Sequence, residues 1–113
     1  MTARRIAAFA LAALPAAALV APWPAAAEEP AKIFTKSCAP CHGKEGEPNA
    51  VFTKQGVRSF KDKAWQKTAT DAQIEKSIRE GKKGTMMASF EKQFSAEEIK
   101  GLVAYVRKLG QAR

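Results

Sequence analysis

The 113-residue sequence has little cysteine and almost no histidine. Its two cysteines and its single histidine lie together, at Cys38, Cys41 and His42. A structural zinc site takes four ligands, almost all cysteine or histidine, so these three residues are too few to form one. No segment alternates between apolar and polar residues, which argues against strands and against a thioredoxin-like redox pair. The lysines never form a block of five, and no internal repeat is present, so a nucleic-acid-binding chain is not favoured.

The beginning of the sequence has the order of a secretory signal peptide. Arg4 and Arg5 precede an apolar run over about residues 6–20, and small residues lead to Ala27. A membrane span needs about 20 apolar residues, and this run is shorter and contains Pro15. We therefore predict a cleaved signal peptide rather than a retained anchor.

Cleavage after about Ala27 leaves residues 28–113 as one small domain. Because Arg4 and Arg5 leave with residues 1–27, the formal net charge falls from +8 to +6. A positive charge on an exported protein favours acidic protein partners or a membrane surface over nucleic acid. We predict a periplasmic protein, monomeric and without stable membrane insertion.

Three segments of this domain have apolar residues at helical spacing. Thr70 with Gln73 and Ser95 with Glu98 have the spacing of capping boxes, and Gly110 is expected to end the last helix. The predicted helices run from about Ala31 to Cys38, from after Thr70 to Glu80, and from Ser95 to Gly110. No strand is predicted, so the expected fold class is all-α.

The segments between these helices are long and irregular. Glycine and proline interrupt residues 43–60, and a weak helical turn is expected around Asp62 to Gln66. The second irregular segment, residues 81–94, contains both methionines that remain after signal removal. Two long loops in so small a helical domain need something to pack against, which indicates a large apolar group in the middle of the fold.

The stretch CAPCH has the attachment pattern of a c-type haem. Two thiols about one helical turn apart can join two vinyl groups on one edge of the porphyrin, and the following histidine can bind the iron. A disulfide between Cys38 and Cys41 would close too small a loop to stabilise the fold, and it would leave His42 unexplained. We predict one covalently attached haem c with its iron, and His42 as the proximal ligand.

The second axial ligand of the iron cannot be another histidine of this chain, because there is none. Methionine is the other common axial partner and raises the reduction potential. Met86 and Met87 both lie in the second irregular segment, far in sequence from His42. Methionines also fill cores, yet a glycine-flanked loop is a poor core position, so a methionine ligand is favoured.

Three stretches, IFTKSCAPCHG, GKKGTMMASF and FSAEEIKGLVAYVRKLG, resemble a class I cytochrome c of the small bacterial kind. The resemblance implies a small cytochrome c fold with three main helices and long loops wrapped around one haem. It also implies that Met87 is the distal ligand, because the family often has Met-Pro-x-aromatic and Phe90 follows Met87 at that distance. Ala88 stands where proline is usual, which keeps Met86 as the alternative ligand.

The resemblance extends to two structural details. In this family the first and last helices cross closely, often eased by a glycine, and Pro30 stands where that glycine is expected. A proline carbonyl commonly orients the ligand histidine, and Pro48 would take this role toward His42. The residues expected at the crossing are Phe34, Leu102 and Tyr105.

An iron held on both faces has no open position for substrate, so we predict an electron carrier and not an enzyme. The resemblance implies a soluble shuttle between redox proteins or membrane electron-transfer complexes. Alternatives are a haem-based ligand sensor or weak peroxidase with a labile sixth ligand, or a small haem subunit of a larger oxidoreductase. Lys82 and Lys83 are predicted to border a docking face for acidic partners. Trp65 is expected either to cover the haem or contact a propionate, or simply to fill the core.

Overall fold

The computed structural model describes residues 3, 7–19 and 26–112, and all of its regular elements are helices. The predicted all-α class is therefore confirmed for this part of the chain. The elements in chain order are α1 (Pro30–Ile33), a π-helix (Phe34–Cys38), α2 (Ala39–His42), α3 (Ala50–Lys54), α4 (Lys63–Thr68), α5 (Asp71–Glu80) and α6 (Ala96–Gln111).

The first helical segment is longer than predicted, because α1, the π-helix and α2 continue into one another. Pro30 begins it, as a residue without a backbone N–H suits the first turn. The N–H of Ala39 donates to the carbonyl of Phe34, five residues earlier, which is the hydrogen bond of a π-helix. The helical segment ends at Gly43, whose φ is 81°. The predicted end at Cys38 was therefore four residues too early.

Both predicted capping boxes are present. The N–H of Gln73 donates to the Thr70 hydroxyl at 3.1 Å, and the Gln73 side chain accepts from the N–H of Thr70 at 2.9 Å. Ser95 and Glu98 form the same pair of bonds at the start of α6, at 3.1 and 2.9 Å. These bonds use backbone N–H groups that have no partner inside a helix, which fixes where α5 and α6 begin.

Two short helices lie between the first segment and α5. Helix α3 was not predicted, and its N-cap is Asn49, whose side chain accepts from the N–H of Phe52 at 3.1 Å. Helix α4 is the predicted turn at Asp62 to Gln66, and the structure extends it to Thr68. It begins because the Asp62 carboxylate accepts from two backbone N–H groups of its first turn.

The core lies between α1, the π-helix, α5 and α6. The predicted apolar stripes of all three helices point into it, and Phe60 joins them from the irregular segment before α4. The buried residues are Ile33, Phe34, Phe60, Ile74, Ile78, Ile99, Leu102, Val103 and Val106.

Helix α1 crosses α6 at close range, and the glycine that permits this belongs to α6. A Cβ atom at Gly101 would lie 2.8 Å from Cγ of Pro30, a ring that cannot move aside. The expectation that the small residue belongs at position 30 was therefore wrong, because α6 supplies the space at position 101. Phe34 contacts Tyr105 across the crossing, with ring centroids 5.1 Å apart, and Leu102 is buried in the same core.

The segment predicted to be a signal peptide is described over residues 7–19 and at Ala26 and Ala27. Residues 7–19 form no helix, and their large apolar side chains are more than nine-tenths exposed. Among the described residues, no helix is both long and apolar enough to cross a membrane. Arg4 and Arg5, the predicted basic start of the signal peptide, lie outside the described residues. Cleavage after Ala27 stays a prediction.

Candidate haem-binding site

The CAPCH motif lies at the end of the first helical segment. Cys38 is the last residue of the π-helix, and Cys41 and His42 form the end of α2. The helical backbone brings the two thiols about one turn apart, as the sequence predicted. Both thiols are free in this structure and half-buried.

The Cys38 thiol is protonated at neutral pH. Burial, with a smaller contribution from the nearby Cys41, raises the pKa of Cys38 to about 11. A thiol with this pKa is protonated at neutral pH and is a poor nucleophile and metal ligand in that form. Addition of a protonated thiol across a vinyl group is the covalent chemistry that a c-type haem requires of Cys38.

The His42 imidazole is largely enclosed. Its Nδ1 atom is buried and has no hydrogen-bond partner. Burial lowers the pKa of His42, while the backbone of Arg58 acts in the opposite direction. A lowered pKa keeps the imidazole neutral at neutral pH, which is the form that binds a metal.

The predicted orienting role of Pro48 is not supported. The Pro48 carbonyl accepts instead from the Thr53 hydroxyl, at 3.4 Å. The backbone group that acts on His42 belongs to Arg58, sixteen residues after it, in an irregular segment. Because Nδ1 of His42 has no hydrogen-bond partner within the described residues, the Pro48 carbonyl does not orient the ring in this structure.

Phe60 lies against His42, a contact that was not predicted from the sequence. The two rings are stacked, with centroids 4.4 Å apart and planes 17° apart. Trp65 packs against Phe60, with ring centroids 5.4 Å apart. Trp65 is half-buried against the core, so the structure gives it a packing role, and a contact with a propionate stays a prediction.

The two methionines point in different directions. Met87 is half-buried and packs against the core, whereas Met86 is 63% exposed. The loop around Met87 is held by the N–H of Lys82, which donates to the Met87 carbonyl at 3.0 Å. Gly81, with a φ of 73°, leaves room for this turn, since a Cβ there would lie 2.7 Å from the same carbonyl oxygen. The thioether that faces the interior is therefore that of Met87, and its bond to iron stays a prediction.

These side chains fit a covalently attached haem. The chain offers two free thiols one turn apart, a largely buried imidazole whose lowered pKa keeps it neutral, and an inward-facing thioether. Around them lie aromatic and aliphatic residues of the core, as an apolar macrocycle requires. Among the described residues, no cluster of histidine, cysteine and carboxylate side chains forms an alternative metal site.

Comparison with known proteins agrees with this chemistry. Residues 25–106 match the family described as cytochrome c oxidase, cbb3-type, subunit III. The chain belongs to this family. As a c-type cytochrome it carries covalently bound haem c with its iron, and the resemblance to small class I cytochromes is confirmed.

Individual relatives cover this cytochrome domain. The cbb3-type cytochrome c oxidase subunit FixP of Bradyrhizobium diazoefficiens is 33% identical over 79 residues, which is 70% of this chain and 26% of FixP. FixP of Azorhizobium caulinodans is 35% identical over 85 residues, 75% of this chain and 28% of FixP. The chain thus spans about a quarter of the length of these relatives.

A solved structure covers the same region. The KustC0563 c-type cytochrome superposes with a TM-score of 0.67 and 34% identity, over 73% of this chain and 98% of that one. A known c-type cytochrome therefore matches this fold over nearly its whole length. The predicted small cytochrome c fold is confirmed.

Proposed function

We propose that this cytochrome is an exported one-electron carrier whose iron is held by His42 and Met87. The observation that carries the proposal is the pairing of a buried, neutral imidazole with the only methionine that packs into the core among the described residues. When bound, haem c supplies a one-electron couple between ferric and ferrous iron.

Each side chain has a separate task in this proposal. Cys38 and Cys41 fix the macrocycle to the first helical segment, which keeps it in place in a domain with a small core. When haem is bound, the Nε2 atom of His42 and the sulfur of Met87 would be its two protein ligands to iron. The surrounding apolar residues exclude water, and two protein ligands leave no position for a substrate, so the domain transfers electrons without bond chemistry.

The proposal is tested on the protein exported from cells that attach c-type haem. We expect a coloured protein whose pigment stays with the polypeptide after denaturation and which is reduced and reoxidised reversibly by one electron. The double variant Cys38→Ser, Cys41→Ser should lose its colour on denaturation and extraction. A colourless wild-type protein would contradict the proposal.

A second candidate is a haem subunit held within a larger oxidoreductase. The names of the relatives favour it, because FixP is an oxidase subunit. We propose that a terminal oxidase is the partner in either case. A carrier would bind the oxidase transiently, whereas a subunit would stay bound to it. Size-exclusion chromatography of gently solubilised membranes distinguishes them, since a subunit elutes with the oxidase and a carrier elutes alone.

A sensor or weak peroxidase needs a labile bond to Met87. The folded loop around Met87, held through Lys82 and Gly81, argues for a fixed sulfur. Rapid binding of carbon monoxide by the untreated reduced protein would favour the sensor, and slow or no binding supports the carrier.

We propose export to the periplasm with cleavage after Ala27. The first residue that remains is then Glu28, whose backbone nitrogen donates to the Glu98 carboxylate at 3.1 Å. Cleavage converts this N–H into an α-ammonium group, which pairs with the same carboxylate through charge as well as a hydrogen bond. N-terminal sequencing of the purified protein should begin at Glu28.

Replacing Glu98 by glutamine is expected to lower the unfolding temperature at neutral pH. Hydrogen bonds from the backbones of Ser95 and Glu28 hold the pKa of Glu98 below its ordinary value of 4.5. A carboxyl group with a lowered pKa stabilises the fold above its ordinary pKa, and this stabilisation is lost as the pH falls through the folded-state value. The difference between wild type and variant, followed by thermal melts, should therefore shrink as the pH falls below 4.5.

Glu97→Gln is the matched control for this variant. Glu97 is exposed, neighbours Glu98 in the first turn of α6, and its side chain makes no hydrogen bond within the described residues. Both variants remove one charge near the start of the helix. Equal melting temperatures for the two variants would show that charge at the helix start, rather than the bonds to Glu98, carries the effect.

Lys82 and Lys83 are proposed to border the docking face. Both are exposed at the turn that precedes Met87. Reversing both charges, Lys82→Glu with Lys83→Glu, should slow electron transfer with an acidic partner by roughly tenfold at low salt, because electrostatic steering is worth that much or more. Lys100→Glu with Lys108→Glu changes the net charge equally from exposed positions on α6. An equal loss in both double variants, or no dependence of the rate on ionic strength, would contradict this docking face.

A further inference from the structure

The contact between Phe60 and His42 restrains the imidazole in a specific way. An imidazole that binds a metal through Nε2 can still rotate about the metal–nitrogen bond. The Phe60 ring is nearly parallel to the imidazole at a centroid distance of 4.4 Å, and it is itself 8% exposed. Rotation of His42 would push it into the Phe60 ring, which also packs against Trp65 and Phe34, with centroids 5.4 and 6.2 Å from that of Phe60.

The backbone of Phe60 is held on both sides. Its N–H donates to the Gly46 carbonyl at 2.8 Å, which ties it to the segment that leaves the CAPCH motif. Its carbonyl accepts from Nε2 of Gln66 at 2.7 Å. The second bond is the only one of the two that depends on a side chain, so Gln66 is the residue through which the position of Phe60 can be altered by mutation.

The Gln66 side chain is in turn fixed by α6. Its Nε2 atom donates a second hydrogen bond to the Val106 carbonyl at 3.1 Å, and its Oε1 atom accepts from Arg107 at 3.0 Å. Arg107 also donates to the backbone carbonyls of Gln66 and Ala69, at 2.6 and 2.5 Å. All hydrogen-bonding directions of the Gln66 amide except one oxygen lone pair are used.

Gly110 completes this arrangement. A side chain there would collide with the Gln66 amide, since a Cβ built on Gly110 overlaps it. Gly110 was predicted to end the last helix, yet α6 continues to Gln111 and Gly110 does not have a positive φ. The residue is buried because it makes room for Gln66.

We propose that Gln66, clamped by Arg107 on α6, holds Phe60 against His42 and thereby fixes the plane of the axial imidazole and the reduction potential. Phe60 and Gln66 are positioning residues, and neither is a ligand. The inference rests on the proposed function, because it takes His42 as an iron ligand. An apolar ring beside the ligand also keeps water away from it, which favours the reduced state with its lower charge.

The test uses the haem-loaded protein and measures three properties. Phe60→Leu removes the ring, Phe60→Tyr keeps it, and Gln66→Glu keeps the size of the side chain but removes its donor. The measurements are the midpoint potential, the ferric electron paramagnetic resonance g values, which report the orientation of the imidazole plane, and the unfolding temperature.

We expect Phe60→Leu to lower the reduced-to-oxidised ratio at a fixed solution potential roughly threefold, which is about 30 mV for a one-electron couple. The g values should change as well, whereas Phe60→Tyr should restore both properties. Gln66→Glu should act in the same direction. The double variant Phe60→Leu, Gln66→Glu should be no worse than Phe60→Leu alone, because Gln66 acts through the ring.

Phe94→Leu is the matched control. Phe94 is half-buried and stacked on Phe90, with centroids 5.3 Å apart, so its loss removes a stacked ring whose partner is Phe90 and not His42. It should lower the unfolding temperature without changing the g values. If Phe60→Leu changes the unfolding temperature alone, or if the effects of Phe60→Leu and Gln66→Glu on the potential add, the inference is wrong.

The two hypotheses fail in distinguishable ways. If the wild-type spectrum lacks the signature of histidine and methionine ligation, the proposed function fails. If the wild type has that signature and Phe60→Leu leaves its potential and g values unchanged, only the positioning role fails. Should Phe60→Leu not fold, Gln66→Glu retains the ring and carries the same test.

Discussion

Replacing Met87 by alanine is expected to abolish the weak absorption band near the red end of the ferric spectrum and to lower the midpoint potential. That band signals a bond between methionine sulfur and ferric iron. Methionine stabilises the ferrous state relative to harder ligands, and axial ligands span a range of about 0.8 V. A decrease on the order of 0.2 V is therefore expected when water or hydroxide replaces the sulfur. Visible spectroscopy and a redox titration measure both effects.

Met86→Ala is the matched control for this variant, because it removes the same side chain one residue earlier. Met86 is 63% exposed, whereas Met87 packs against the core. Met86→Ala should keep the band and the potential of the wild type. Loss of the band in Met86→Ala and its retention in Met87→Ala would assign the distal ligand to Met86.

Replacing Phe34 by alanine is expected to cost about 3–5 kcal/mol of the free energy of unfolding. Phe34 is 1% exposed and lies where the π-helix meets α6, between Phe60 and Tyr105. The small domain can do little to close the cavity. A domain of this length has roughly 5–10 kcal/mol of stability, so the variant loses a large part of it. Chemical denaturation of the haem-loaded protein measures the difference.

Val51→Ala provides the comparison for Phe34→Ala. Val51 is 61% exposed on α3, so its truncation should change the free energy of unfolding by less than about 0.5 kcal/mol. A cost below about 1 kcal/mol for Phe34→Ala would mean that α1 and α6 do not depend on this ring.

The helices that could be predicted from the sequence are those with both apolar residues at helical spacing and an N-terminal capping box. Helices α5 and α6 were predicted within a residue or two, because the Thr70–Gln73 and Ser95–Glu98 pairs mark their starts independently of any tertiary contact. Helix α3 has only a local signal, the Asn49 cap ahead of five residues. A helix that short has no periodicity to detect, so it was taken as part of a loop.

Some residues of the candidate site could be predicted from the sequence and others could not. Cys38, Cys41 and His42 could be recognised because their spacing is itself the requirement of the chemistry. Phe60 and Arg58 could not, since both lie in an aperiodic segment and reach His42 only after the chain has folded back. Gly110 was misinterpreted for a related reason. A glycine at a helix end looks the same in sequence whether it turns the chain or admits a neighbouring side chain.

The π-helix between Phe34 and Cys38 has a consequence for how insertions and deletions act on this protein. It accommodates one residue more than an α-helix would over the same rise, so it turns everything after it by about 100° relative to everything before it. Ile33 and Phe34, at the start of the π-helix, pack into the core. The two cysteines and His42 follow at its end, so the π-helix sets the direction in which their side chains point. The length of the segment between Phe34 and Cys38 is therefore constrained more tightly than the types of residue in it. Shortening this stretch by one residue would leave a good helix whose cysteines face the wrong way.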